Sequence, residues 1–263
     1  MHDFNEYDFL VIENSISDTR EQLADVVRYF RSKEYHDHAM ELFILKYRKL
    51  DASVIEESDC FCIDEDLPVN AVPQWMHAAS LGIIRKSDFV MAGRCVFPVK
   101  TVDGEVMGLI GWDPTTTPKY IDSHNYGYKA KFSTLYGMER LPDYYRDDKP
   151  VFFTEGLMCT WYLRSKGFNA LATLGSHLTS YQIQIIKRFG RRGVVVVDND
   201  EAGQSFAKQV KRVLPQTQIV TCRYGKDIEG CRKVEDFKYE QDLLKDLSQI
   251  SNPFYMPKIL CRR

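Results

Sequence analysis

Acidic residues stand directly after two apolar runs in the second half of the chain. Glu155 follows VFFT, and the segment GVVVVDND carries Asp198 and Asp200 immediately after four valines. A run of β-branched residues is typical of a strand that is buried on both faces of a parallel sheet. Because parallel strands bring their carboxyl ends to one edge of the sheet, we expect these carboxylates to lie close together.

Carboxylates held close together repel one another, and each raises the pKa of its neighbour. A divalent cation removes that cost. Mg²⁺ suits such a set because it prefers hard oxygen ligands and uses one or two carboxylates per ion. Two ions about 3.5–4 Å apart can clamp the attacking and leaving oxygens of phosphoryl transfer. The pattern therefore predicts a site for two Mg²⁺ or Mn²⁺ ions beside a phosphate-bearing substrate.

An Asp-x-Asp pair alone is weak evidence for a metal, since Asp200 can simply cap the helix that follows it. The order along the chain is more specific: a strand-terminal Glu-Gly, an Asp-x-Asp after a later strand, and a Lys-Asp at Asp227 after the next. Two glycines support this interpretation. Gly156 allows a tight turn after Glu155, and Gly203 allows the next helix to pack closely. We therefore favour the metal site over the helix cap.

Strands and helices alternate regularly after Pro150. The segments VFFTE, NALATLG, GVVVVD and QTQIVTCRY are separated by helical segments of ten or more residues. This alternation predicts right-handed βαβ crossovers and a parallel sheet that is covered on both faces.

Upstream of Pro150 the pattern is mixed. The segment CVFPVKTVDGEVMGLIGWD predicts a β-hairpin that turns at Asp103-Gly104. Helical spacing of apolar residues predicts a helix over 18–50 that begins at Asp18 or Thr19, and a second helix over 72–81.

The expected fold class is α/β, with an α+β subdomain ahead of the parallel-sheet domain. A polar segment with a proline near each end, LPDYYRDDKP, indicates a boundary. We therefore predict a mixed N-terminal subdomain over 1–145, a catalytic domain over 146–232 and a helical extension over 233–263.

Composition excludes several classes of protein. Hydrophobic residues make up 44% and aromatic residues 13% of the chain, which is too many for global disorder. No run approaches the ~20 apolar residues of a membrane span, and the acidic N-terminus is unlike a signal peptide. We expect a cytoplasmic protein with no membrane partner. The spacing of CFC and HDH does not match the usual structural zinc pairs, so we expect no zinc.

The formal net charge of −2 conceals an asymmetry along the chain. Residues 1–90 carry 18 acidic and 9 basic residues, whereas residues 91–263 carry 19 and 26. Either the basic part meets a polyanion or the asymmetry is surface patterning alone. In KRFGRR, residues 187–192, we favour a solvated helix end over a template contact, because it precedes the valine strand and lies away from the predicted metals.

Four short motifs, TEG at 154–156, TLGS at 173–176, DNDEAG at 198–203 and GKDIE at 225–229, resemble a TOPRIM domain. Within that group they are most similar to the DnaG-type DNA primases of bacteria and phages. RCVFPVKTVDGEVMGLIGW and PKYIDSHNYGYKAKFSTLYG resemble the segments that precede TOPRIM in those primases. The resemblance implies an RNA-polymerase core that joins ribonucleoside triphosphates on a single-stranded DNA template.

The resemblance also assigns roles by position. Glu155, Asp198 and Asp200 would hold the catalytic metals, and Asp227 with Glu229 would form a second acidic pair, although the family has Asp at the latter position. The basic positions that the family uses for template or nucleotide phosphates are Arg94, Lys119 and Lys131. The tyrosines that could stack on bases, or simply pack, are Tyr120, Tyr126 and Tyr128.

Two departures from the family pattern bear on activity. The family has an Asp four residues after the Glu-Gly glutamate, where this chain has Cys159, and a neutral thiol is a poor substitute for a hard oxygen ligand. We also expect neither a zinc-binding nor a helicase-binding domain here, so a replicative helicase or a separate zinc-bearing subunit is a further candidate partner. Two alternatives remain: a TOPRIM nuclease, and a DNA-binding accessory protein whose site has decayed.

Overall fold

The chain divides between Glu139 and Arg140 into two units. The structure is a computed structural model, and it describes residues 6–32, 47–48, 50, 53–77, 81–85, 88–123, 134–198 and 200–221. The predicted domain limits at residues 145 and 232 remain predictions, and the predicted extension over 233–263 lies outside the described residues. No helix in the described ranges is long and apolar enough to cross a membrane.

The first unit opens with a long helix, α1 (Glu6–Ser32). Its predicted apolar face is buried, with Leu23, Val26 and Phe30 fully inaccessible to solvent. The predicted start at Asp18 or Thr19 is wrong, because no proline or glycine interrupts residues 6–17 and the helix continues back through them. The part of the predicted helix over 33–46 lies outside the described residues.

The helix predicted over 72–81 is also wrong. The chain instead forms two short 3₁₀ turns, Val69–Ala71 and Gln74–His77, on either side of Pro73. A proline has no N–H to donate and forces the preceding residue into extended geometry, and Val72 has φ −97° and ψ 157°. Residues 78–80 lie outside the described ranges. A short helix, α2 (Ser53–Ser58), precedes this segment.

The sheet of the first unit is antiparallel, in the order β1-β4-β5-β6. Its strands are β1 (Phe61–Cys62), β4 (Cys95–Lys100), β5 (Val106–Trp112) and β6 (Tyr120–Asp122), and a separate two-stranded ribbon joins β2 (Ile84–Arg85) to β3 (Asp88–Phe89). The predicted hairpin at β4 and β5 is confirmed. The N–H of Gly104, at φ +84°, donates to the carbonyl of Thr101 over 3.1 Å, which closes the turn.

Phe61 and Cys62 of the CFC segment form β1, and Cys60 directly precedes it. Phe61 is as fully buried as Cys60, so the alternation expected of a half-buried strand is not observed. Cys60 is buried and Cys62 is half-buried, and Cys62 pairs with Cys95 across the sheet. A hydrogen bond with the Cys95 side chain lowers the pKa of the Cys60 thiol, whereas burial raises the pKa of Cys95. The Cys60 and Cys95 thiols therefore form part of the packed interior of this unit.

The second unit is the expected parallel sheet, in the order β10-β9-β7-β8. Its strands are β7 (Val151–Thr154), β8 (Asn169–Ala172), β9 (Gly193–Val197) and β10 (Gln218–Thr221). Its helices are α3 (Leu141–Arg146), α4 (Leu157–Ser165), α5 (Ser180–Phe189) and α6 (Glu201–Val213). Right-handed crossovers then put α4 on one face of the sheet and α5 with α6 on the other.

The basic segment KRFGRR has two different roles in this unit. Lys187 and Arg188 are exposed in the last turn of α5, as predicted. Arg192 is only half exposed, and the prediction that it is solvated is wrong. Its Nη1 lies 3.4 Å from the carbonyls of Tyr144 and Lys149 and also donates to the carbonyl of Asp147. Arg192 therefore ties the end of α3 to the segment that leads into β7.

Candidate active site

The loops after β7 and β9 bring two of the predicted acidic residues together. β7 and β9 are hydrogen-bonded neighbours, with Phe153 opposite Val195. Glu155 and Asp198 follow these strands at the carboxyl edge, and both are half-buried. The backbone N–H of Asp198 donates to Oε1 of Glu155 over 3.4 Å. The Glu155 side chain therefore reaches across to the neighbouring loop.

Asp200 has the helix-capping role that was the alternative to a metal ligand. It is the N-cap of α6, and its Oδ1 accepts a hydrogen bond from the N–H of Gly203 over 2.8 Å. This contact fixes the orientation of the carboxylate at the start of the helix. The capping hydrogen bond does not use all the acceptor sites of the Asp200 carboxylate, because an ionised carboxylate has two oxygens and about four lone-pair sites.

Gly203 lets the first turn of α6 contact the peptide of Asp198. A Cβ built at this position would lie 2.0 Å from the carbonyl oxygen of Asp198 and 2.7 Å from its carbonyl carbon. No side chain fits at that distance, so the predicted requirement for glycine at a close approach is confirmed. The Asp198 peptide is thus held between Glu155 on one side and Gly203 on the other.

Two buried threonines hold the backbone on either side of Glu155. The Thr154 hydroxyl donates to the carbonyl of Gly156 over 2.9 Å and lies 2.8 Å from the Thr160 hydroxyl. Thr173 donates its N–H to the carbonyl of Thr154 over 2.8 Å. The Thr154 and Thr173 side chains are 1% and 2% exposed, so their hydrogen bonds form away from water.

The loop after β8 also supports Glu155. The N–H of Gly175 donates to the carbonyl of Glu155 over 3.1 Å. Behind this loop, the fully buried Gln182 donates its side-chain amide to the carbonyl of Thr173 over 3.0 Å. Gln182 also forms a reciprocal capping box with Thr179 at the start of α5. Sequence reasoning missed these residues, although the T-x-x-Q spacing of a capping box is a signal that could have found them.

Cys159 lies in the first turn of α4, which begins two residues after Glu155. Its side chain is half-buried. The position therefore belongs to the same strand-to-helix connection as Glu155, and there a thiol stands where the resemblance predicts a carboxylate.

The described residues do not by themselves form a complete metal cage. Among them, no three carboxylate, imidazole or thiol side chains are grouped so that they could hold a metal ion. Two of the five predicted ligands, Asp227 and Glu229, lie outside the described residues, as does the predicted phosphate-binding Lys131.

The remaining predicted contacts with nucleic acid lie in the first unit. Arg94 is 7% exposed, and its guanidinium donates to the carbonyl of Lys119 over 3.2 Å and to the hydroxyl of Thr116 over 2.8 Å. Lys119 is exposed, and Tyr120, at the start of β6, is 38% exposed. Arg94 thus supports the loop that carries Lys119, while Lys119 and Tyr120 reach the surface.

Comparison with known proteins identifies the class of the second unit. A family model described as Toprim-like matches residues 153–231. The match begins within β7 and includes Glu155, Asp198 and Asp200 as well as Asp227 and Glu229. The second unit is therefore Toprim-like, and the predicted α/β fold with its parallel sheet is confirmed.

Curated relatives make the resemblance more specific. The chain is 30% identical over 146 residues to the DNA primase of Helicobacter pylori, a match that covers 52% of this chain and 26% of that protein. It is 30% identical over 125 residues to the DNA primase of Aquifex aeolicus, covering 46% and 24%. The matched part spans about a quarter of the length of these relatives.

Solved structures share the fold over both units. The Aquifex aeolicus primase structure with zinc-binding and RNA polymerase domains has a TM-score of 0.70 at 20% identity, and the match covers 87% of this chain and 60% of that one. A DnaG primase catalytic domain bound to single-stranded DNA has a TM-score of 0.69 at 22% identity, covering 88% and 80%. The resemblance to a DnaG-type primase RNA-polymerase core with a TOPRIM domain is confirmed.

Proposed function

We propose that this chain is the catalytic core of a DNA primase. It would join ribonucleoside triphosphates on a single-stranded DNA template and so make short RNA primers for DNA replication. The observation that carries this proposal is the hydrogen bond between the Asp198 N–H and the Glu155 carboxylate, at the carboxyl edge of a Toprim-like sheet. The primase-core fold over both units supports it.

The donor set fits a hard divalent cation. Glu155, Asp198 and Asp200 offer carboxylate oxygens, which Mg²⁺ and Mn²⁺ prefer, and all three are half-buried at the ends of β7 and β9. Asp227 and Glu229 would complete the set. When bound, two such ions would neutralise the triphosphate and stabilise the attacking and leaving oxygens.

The protein's own contribution is to orient these carboxylates before a substrate binds. The Asp198 N–H holds one oxygen of Glu155, and the Gly203 N–H holds one oxygen of Asp200. Thr154 and Thr173 hold the backbone on which Glu155 sits. A site held in this way pays little reorganisation free energy when charge develops during phosphoryl transfer.

We further propose that the first unit contacts the template and the incoming nucleotide. Lys119 would bind a phosphate and Tyr120 would stack on a base, because a cation beside an aromatic ring is how single strands are gripped without sequence recognition. Arg94 would act by holding the loop of Lys119 through two hydrogen bonds rather than through a direct phosphate contact. Lys131 would add a second cation.

A replicative helicase and a separate zinc-bearing subunit are the protein partners that we propose. The curated relatives are about four times as long as the matched part of this chain, so functions that they carry elsewhere would have to come from another segment or another polypeptide.

One observation favours a second candidate function. Cys159, in the first turn of α4, stands four residues after Glu155 where the family has an aspartate, as expected of a site that has lost its catalysis and kept its DNA binding. A DNA-binding accessory protein is therefore the alternative to an active primase.

Primer synthesis tests the proposal directly. The protein is incubated with single-stranded DNA templates and labelled ribonucleotides in Mg²⁺ and in Mn²⁺, beside the variant Asp198→Ala. Short RNA products that disappear in the variant are the expected result. Template cleavage without incorporation would establish a nuclease instead. DNA binding with no product in either metal, also after addition of a zinc-bearing subunit of a related primase, would favour the accessory protein.

A further inference from the structure

A groove is lined by α6 and by the loop after β8. Its volume is about 600 Å³. One wall is the loop after β8, and the other wall is α6 itself. The residues that line it are Ser176, His177, Ala202, Ser205, Phe206, Lys208, Gln209 and Arg212.

The helix wall carries polar and cationic side chains at helical spacing. Ser205, Lys208, Gln209 and Arg212 follow one another at intervals of three, one and three residues, which puts them on one face of α6. Lys208 and Arg212 are exposed, and neither forms an ion pair with any residue in the described ranges. Lys211, by contrast, donates to the carbonyl of Thr217 over 3.0 Å.

The charge of the groove has one sign. Among the described lining residues, one is a lysine, one is an arginine, one is a histidine and none is a carboxylate. Glu201, the nearest acidic residue of α6, precedes the lining. The exposed His177 and the nearby Ser176, whose Oγ lies 3.4 Å from the His177 ring, add hydrogen-bonding groups on the opposite wall. Such a surface suits an anion with several oxygens spread along its length.

The groove starts at the acidic edge of the sheet. Ser176 directly follows Gly175, whose N–H binds the carbonyl of Glu155, and Ala202 comes two residues after Asp200. From Ala202 to Arg212 the helix rises by about 15 Å. That is long enough to contact more than one phosphate of a nucleic-acid strand, since the charges of one strand in a duplex are spaced by about 3.4 Å along the axis and those of an extended strand lie farther apart.

The residues that line the groove are better suited to contact the sugar-phosphate backbone of a nucleic-acid strand than to contact its bases. The aromatic residue among the described lining residues, Phe206, is only 1% exposed, so it offers no ring face for stacking. The groups that remain are cations, hydroxyls, an imidazole and an amide, which contact phosphate and sugar without reading sequence.

We propose that this groove binds the phosphodiester backbone of a nucleic-acid strand that continues away from the carboxylates. The identity of the ligand rests on the proposed function, but the binding of an oligonucleotide to the groove can be measured without catalysis. Lys208 and Arg212 provide the charge, and Ser205 and Gln209 provide hydrogen bonds between them.

Fluorescence anisotropy with labelled single-stranded DNA and RNA oligonucleotides tests this site in the full chain, without nucleotides or divalent metal. The test variant is Lys208→Glu/Arg212→Glu, with Lys208→Gln/Arg212→Gln as a milder form. The matched control is Lys187→Glu/Arg188→Glu, which makes the same change of charge at the exposed end of α5. All are exposed positions, and circular dichroism checks that each variant is folded.

The expected result is that Kd rises by about tenfold or more in the groove variant and by less than twofold in the control. The dependence of log Kd on log salt should become shallower by about 1.4, because two phosphate contacts are lost at about 0.7 each. Equal weakening by both pairs, or no change in either, overturns the proposal. So does full displacement of the oligonucleotide from the unaltered chain by an equimolar concentration of inorganic tripolyphosphate, because the groove would then prefer a free triphosphate to a nucleic-acid strand.

Failure of the groove and failure of the primase proposal are separable. Asp198→Ala should abolish primer synthesis and leave oligonucleotide binding in the groove within twofold of the unaltered chain. If the unaltered chain makes no primers, but the substitutions at Lys208 and Arg212 still weaken oligonucleotide binding more than those at Lys187 and Arg188, the groove proposal survives. Comparison of DNA with RNA oligonucleotides then shows which strand the groove prefers.

Discussion

The backbone N–H of Asp198 donates a hydrogen bond to Oε1 of Glu155 over 3.4 Å. The two residues are 43 positions apart in the chain, and the pairing of β7 with β9 brings them together. The bond couples the orientation of the Glu155 carboxylate to the position of the Asp198 backbone. Any change that moves the Asp198 peptide should therefore also disturb Glu155.

Replacement of the Glu155 carboxylate should remove metal-dependent activity. Glu155→Gln keeps an acceptor for the Asp198 N–H but removes the negative charge, so we expect Mn²⁺ affinity and primer synthesis to fall by about a hundredfold or more. Isothermal titration with Mn²⁺ and the primer assay measure the two effects. Glu201→Gln, an exposed carboxylate at the start of α6, is the control. A Glu155→Gln protein as active as the control would contradict the assignment.

Gly203→Ala should destabilise the second unit instead of stabilising its helix. Glycine to alanine in a helix interior normally adds about 1 kcal/mol of stability. Here the new Cβ would lie 2.0 Å from the Asp198 carbonyl oxygen. We expect the free energy of unfolding in urea to fall by about 3 kcal/mol. Gln204→Ala, at the exposed neighbouring position, should change it by less than about 0.5 kcal/mol. A stabilised Gly203→Ala protein would refute the close approach.

Cys159→Asp should strengthen the site if it is active. The substitution introduces a hard oxygen ligand in the first turn of α4, four residues after Glu155, so we expect tighter Mn²⁺ binding and faster primer synthesis in Mg²⁺. Cys159→Asn controls for size without the charge. Weaker metal binding in the aspartate variant, with the asparagine variant unchanged, would count against a shared site.

Arg192→Met should loosen the segment that leads into β7. The substitution removes the hydrogen bonds to the carbonyls of Tyr144, Asp147 and Lys149. We expect the free energy of unfolding to fall by about 1–3 kcal/mol, because partly buried acceptors lose a charged donor. Arg188→Met, at an exposed position of α5, should leave stability nearly unchanged. Equal stability of the two variants would show that Arg192 is dispensable.

Asp147 should make stability depend on acid pH. Burial alone would raise its pKa, but the Lys149 N–H, the Asn169 amide and the Lys149 charge outweigh it and lower the pKa of Asp147 below the usual value. The ionised form is therefore favoured in the folded state. Its contribution is present above the unfolded pKa of about 3.9 and is lost as pH falls through the folded pKa.

The variant Asp147→Asn tests this linkage. It should be less stable than the unaltered protein at pH 7, and the difference in the free energy of unfolding should shrink below about pH 4. Asp148→Asn, at the exposed neighbouring position, serves as the control. A difference that does not change between pH 7 and pH 3 would assign the effect to something other than ionisation.

Local sequence patterns were sufficient to predict those strands and turns that a few consecutive residues specify. The valine run before Asp198 predicted a buried parallel strand, and Asp103-Gly104 predicted the turn between β4 and β5. The prediction of a helix over 72–81 was wrong because Pro73 lies within that segment and holds Val72 in extended geometry, whatever the spacing of the apolar residues. The early start of α1 was missed because a polar residue that can cap a helix is also tolerated inside one.

What the sequence by itself determined is the order of the elements and the chemistry that stands at their ends: carboxylates after β7 and β9, and glycine at 203. Periodicity and residue type carry that information because both act over one or two turns of chain. Only the tertiary structure decided which groups meet. Strand pairing brought the Asp198 N–H within hydrogen-bonding distance of Glu155. Side-chain packing directed Arg94 and Arg192 to backbone carbonyls. The position of α6 beside the loop after β8 placed Lys208 and Arg212 in a groove. These contacts join residues far apart in the chain, and their geometry depends on burial and on competition for partners that no local pattern records.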